Sequence, residues 1–176
     1  MACDISLGRL ELCKTSVGGL KAAYFVNFGK ITGVTYNVTN TDVIDAVTGT
    51  SLTAYKYDLK GTNSFDQTVT SSRENGTTFF EQNLKLTLKQ LTPKDHKELK
   101  LLCFGRPNVI IEDHNGNFFL AGLEHGMEVT GGSIVTGTAM GDLSGYTLEF
   151  KAMEKVAANF IGVSLTTAGF TIVSGS

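Results

Sequence analysis

The sequence predicts a mainly β fold: an antiparallel β-sandwich or barrel with one α-helix near residues 93–104 and a long β-hairpin over about residues 51–91. Three observations lead there. Apolar and polar residues alternate along several stretches, the period of a half-buried strand. Glycine is abundant at 20 residues and proline scarce at 2, which suits strands joined by tight turns. A single segment carries both helix start and helix stop signals.

The 176 residues suffice for one domain with a real core. Residues 1–18 read as an arm, 19–161 as a single β domain, and 162–176 as a tail or extra strand. The N-terminus lacks the basic start and apolar run of a signal peptide, and no run approaches the length of a membrane helix. Cys3, Cys13 and Cys103 are odd in number and form no C-x-x-C pair, so free thiols are expected.

Leu20 to Phe28 reads as a buried strand and Lys30 to Val38 as a second. Turn residues flank the short run Val43 to Val47. In the hairpin, Tyr55, Tyr57 and Leu59 lie on one face of the first limb, which runs on through Phe65, Gln67 and Val69. Phe80, Gln82, Leu84, Leu86 and Leu88 share one face of the second limb. Asn75-Gly76 predicts a type I′ turn between the limbs. The tip, Thr68 to Thr78, is polar and has little to bury against its own domain.

Thr92 is placed to cap a helix, Pro93 suits its first position and Asp95 completes a capping box. Leu99, Leu102 and Cys103 form an apolar stripe, which makes Cys103 a core residue. Gly105 and Pro107 end the helix. Asn108 to Glu112 reads as a buried strand. Leu123 to Thr130, Ser133 to Ala139 and Tyr146 to Val156 follow, with Gly131-Gly132 as a turn. Val163 to Val173 reads as a nearly uncharged strand that would aggregate if left open.

Catalytic chemistry is thin. Glu124 and His125 beside Asp142 offer ligand-type groups, but a zinc site needs three or four ligands at a recognised spacing. The glycines from Gly131 to Gly145 do not form a phosphate loop, because Asp142 stands after Gly141 where that motif needs lysine. Lys94, Lys97, Lys100 and Arg106 alternate with Asp95 and Glu98, the pattern of a solvated helix face. A net charge of −2 argues against tight binding to a phosphate backbone.

The order of elements resembles the major tail tube proteins of long-tailed phages and the related tubes of contractile and secretion machines. The residues carrying it are Val109 to Asn117, Leu120 to Gly126, Gly141 to Phe150 and Met153 to Ala157. This last third is similar to structural proteins of phages of Bacteroidota hosts. The resemblance implies a virion subunit made in the host cytoplasm, assembled into hexameric rings stacked around a lumen for DNA. It implies contacts with tape measure, terminator and baseplate or hub proteins, no membrane, no cofactor, no metal and no enzymatic activity. Interface candidates in the hairpin are Phe65, Val69, Arg73, Glu74, Asn75, Phe79 and Phe80. In the tail they are Val163, Leu165 and Phe170. A single-ring connector or tail-completion protein is one alternative. A hydrolase or ligand-binding β domain using Glu124, His125 and Asp142 is the other.

Overall fold

The computed structural model describes residues 4–175 and sets the two most apolar stretches side by side. β1 (Leu20–Val26) and β7 (Asn108–Asp113) pair antiparallel, with nearly every side chain buried. A strand covered on both faces needs a continuous apolar run, not an alternation. Around this pair forms an eight-stranded sheet. Its other strands are β2 (Ile31–Tyr36), β3 (Val43–Gly49), β4 (Thr53–Asp58), β8 (Phe118–Ala121), β11 (Asn159–Ile161) and β12 (Thr171–Ser174). The order is β12-β4-β1-β7-β8-β11-β3-β2.

A second sheet is antiparallel throughout, in the order β5 (Ser64–Ser72), β6 (Thr77–Lys89), β10 (Gly145–Glu154) and β9 (Glu128–Val135). The first core lies between the sheets. Phe25, Val109 and Ile111 meet Leu84, Leu86, Tyr146 and Phe150 there. The second core covers the opposite face of the large sheet, where Leu165, Ala168 and Phe170 fold over Ile44, Leu52 and Ile110. Helix α1 (Pro93–Phe104) inserts Leu99 into the first core. Thr92 caps it by accepting the Asp95 N–H at 3.1 Å.

The mainly β sandwich with one helix is thus as the sequence predicts, and several details differ. The first limb of the hairpin is not continuous. β4 belongs to the large sheet and β5 to the small one, so the hairpin proper is β5–β6. The chain changes sheets at residues 59–63. Gly61 takes a positive φ of 99°, and the buried Asn63 accepts the Thr87 N–H at 2.8 Å. The hairpin loop is Arg73 to Gly76, between the paired residues Ser72 and Thr77. Gly76 has a positive φ and Asn75 does not, so the Asn-Gly pair is not a type I′ turn.

Gly131 and Gly132 lie inside β9, not in a turn. A Cβ on Gly132 would sit 2.4 Å from the Thr147 carbonyl, so Gly132 allows close strand approach beside a bulge. Residues 123–127 form a turn between Gly122 and Gly126, both with positive φ, and β9 stops at Val135. Cys103 is exposed, because only Leu99 and Leu102 of the expected stripe face the core. Cys3 lies outside the described residues. The tail is not one strand. Residues 163–170 fold into the second core, and β12 then pairs parallel with β4.

Candidate functional site

The small sheet presents two different faces. Its inner residues alternate with an outer row on β6 of Glu81, Asn83, Lys85, Thr87 and Lys89. The register places Glu149 and Lys151 of β10 on that same outer face, with Asp66 of β5 and Glu128 of β9. Opposite charges pair across it: Lys85 with Glu149 at 3.3 Å and Lys151 with Glu81 at 3.0 Å. The Lys151 ion pair comes first in holding the Glu81 carboxyl below its usual range, with Asn83 donating as well.

β5 and β9 are the sheet's edges, each laddered on one side only. The β5–β6 ribbon outruns its neighbour. β10 ends with Glu154 opposite Phe80, so from Thr70 and Phe79 outward the ribbon is two-stranded. Val69 is 56% exposed, and Arg73, Glu74 and Asn75 are exposed, while Phe65, Phe79 and Phe80 are half-buried. In the tail, Val163 is half-buried, but Leu165 and Phe170 are each 3% exposed within this chain's own core. The reading of those two as contact residues for a second subunit is therefore corrected: their apolar surface is already used.

The N-terminal arm is the opposite case. Val17 is tied to Asn115 by two hydrogen bonds, at 2.9 and 2.8 Å. Before it, Ile5, Leu7, Leu10 and Leu12 are between 75% and 97% exposed.

A second locus lies where β10 ends. The turn from Gly122 to Met127 closes through the Gly126 N–H donating to the Gly122 carbonyl at 3.0 Å. Both glycines have positive φ, and a Cβ on Gly126 would meet the Arg106 carbonyl. Buried amides anchor the turn. The Gly122 N–H donates to the Gln82 side chain at 2.9 Å, and the Asn108 amide donates to the Gly122 carbonyl.

This turn sets Glu124 and His125 against Glu154, whose side chain is 4% exposed. Glu154 Oε1 accepts the backbone N–H groups of Glu124 and His125, at 3.2 and 2.9 Å. Its Oε2 lies 3.2 Å from His125 Nδ1. Glu124, His125 and Glu154 place one ligand-type atom each within 4.8 Å of one another.

Asp142 is not in this cluster. It holds its own loop by accepting the Ala139 and Thr138 N–H groups, at 2.7 and 3.0 Å. Those bonds, Ala139's first, keep its carboxyl below the usual range. The expected constellation is therefore corrected, with Glu154 in the third place. Its signal was present in the sequence: Glu154 occupies an inward parity position after Tyr146, Leu148, Phe150 and Ala152.

The chain matches no protein-family model, no curated protein and no solved structure. No helix among the described residues is long and apolar enough to cross a membrane.

Proposed function

We propose that this chain is a non-enzymatic tube subunit of a phage tail, self-assembling into stacked rings around a lumen for DNA. The observation that carries the reading is the small sheet with two unpaired edges. β5 and β9 run in opposite directions because they are the first and last of four antiparallel strands. β9 of one copy therefore meets β5 of the next in antiparallel register, and the sheet continues from subunit to subunit. Head-to-tail contacts of this kind close into rings when the rotation fits, and closure removes the exposed edges.

Other features support it. The outer face of the sheet mixes paired lysines and carboxylates, so a lumen lined by it offers phosphate no net attraction. The arm from residue 4 to 16 exposes large apolar side chains, a mark of an interaction segment. The ribbon tip extends past the third strand, positioned to reach a neighbouring copy or ring.

One experiment tests the reading. Thr70 and Phe79 are cross-strand partners, so an Asn-Gly pair replacing Ser71–Thr78 joins them as a short hairpin. The full chain is expected to form rings and tubes in negative-stain images as concentration rises. The shortened chain is expected to keep its circular dichroism spectrum and stay monomeric. A full chain that remains single at high concentration refutes the assembly, and normal tubes from the shortened chain refute the ribbon's part in it.

A further inference from the structure

We propose that Glu124, His125 and Glu154 form a divalent-cation site of zinc type between the Gly122–Met127 turn and β10, where the ribbon loses its third strand. The site stands whether or not the chain assembles.

The first argument is charge. Glu154 is nearly sealed from water, yet its ion-pair partner is the imidazole of His125, not lysine or arginine. Interior carboxylates are stabilised by a paired cation or by coordinating a metal. Imidazole is a frequent metal ligand.

The second argument is geometry. Two backbone N–H groups hold Oε1 and so aim Oε2 at the imidazole. Such outer bonds orient a coordinating carboxylate. Ligands about 2.0–2.2 Å from a tetrahedral zinc lie roughly 3.3–3.6 Å apart. The Nδ1 to Oε2 separation of 3.2 Å is close to that edge. Glu124 supplies the third donor within 4.8 Å, so an inward swing of at most about 1.5 Å completes the set. Its side chain is 53% exposed, and its contact with Lys155 is long at 3.8 Å, so little opposes that movement. Water fills the fourth position.

The third argument is that the frame is already built. Gln82, Asn108 and the two glycines with positive φ fix the turn without help from a cation. Binding therefore orders one exposed side chain and no loop. The cation would sit beside the Glu154–Phe80 pair, the last point at which β10 supports the ribbon.

The test is calorimetric titration of the chelator-treated full chain with zinc, alongside thermal unfolding. One zinc per chain and a higher Tm are expected. Affinity should fall at least tenfold in His125→Ala and in Glu124→Gln, and stay unchanged in His114→Ala. Glu124→Gln changes an exposed side chain, so it reports on the site even if His125→Ala loosens the turn. Absence of saturable binding at one equivalent overturns the proposal. So does undiminished affinity in His125→Ala, which would place the zinc elsewhere, for example on the exposed thiols of Cys13 and Cys103.

Discussion

The base and the tip of the β5–β6 ribbon share one continuous ladder, from Ser64 opposite Lys85 to Ser72 opposite Thr77. They differ in what lies across from them. At the base, Leu84 and Leu86 are 0% and 1% exposed and pack with Phe25, Phe150 and Val109. At the tip, beyond Val69 and Phe80, β10 is gone, Arg73, Glu74 and Asn75 are exposed, and the side-chain contact across the strands is a 2.9 Å bond between Ser71 and Thr78. Backbone pairing is therefore common to both, and burial is not. A two-stranded ribbon held by its ladder is marginal in water. The stability of this hairpin resides in its base, and the tip adds little burial to it.

The contrast is tested most strongly at Leu84. Leu84→Ala empties a fully buried site and should cost about 2–5 kcal/mol in urea unfolding. Gln82→Met, one step toward the tip, leaves the Gly122 N–H without its acceptor and should cost about 1–3 kcal/mol.

A third effect depends on pH. Tyr57 packs edge-on against Phe25 at 5.0 Å. Burial first, then the carboxylates of Glu98 and Asp95, push its phenol up to about 12. Tyr24 shifts the same way, through burial and its hydrogen bond to Glu112. A raised phenol pKa gives stability that is full below the unfolded value near 10 and is lost as pH rises toward 12. Urea unfolding should therefore weaken over that window, and Tyr57→Phe should flatten the slope. An unchanged slope in Tyr57→Phe would remove Tyr57 from the account.

The smallest effect belongs to Val69, where the tip begins. Val69→Ala should change monomer stability by no more than about 0.5 kcal/mol, and tip amides should exchange faster than those of Leu84 to Leu88 in dilute protein. A Val69→Ala cost matching that of Leu84→Ala would erase the distinction between the two ends.

How far the sequence was legible follows from which forces are local. Thr92, Pro93 and Asp95 act within one turn, and the helix spans Pro93–Phe104 as they predict. The alternation of Tyr146, Leu148, Phe150 and Ala152 likewise appears as buried positions on β10. The switch at Gly61 was hidden, because an alternating pattern names the buried face of a strand but not the sheet it joins. Gly131-Gly132 has the same ambiguity. Glycine marks a turn or a close strand approach equally well, and the Thr147 carbonyl of another strand decides it. At the candidate site, Glu124 and His125 were visible as adjacent ligand-type residues. Their partner lies some thirty positions away, at Glu154 and not Asp142.

The sequence by itself determined the strand periods, the helix and its cap, the sparse charge and the polar ribbon tip, since each depends on neighbours along the chain. Only the tertiary structure decided that β4 and β5 part into different sheets, that Leu165 and Phe170 fill a second core, and that Glu154 faces His125. Those outcomes depend on which distant segments compete to cover the same apolar surface or satisfy the same buried polar group, and no local pattern records that competition.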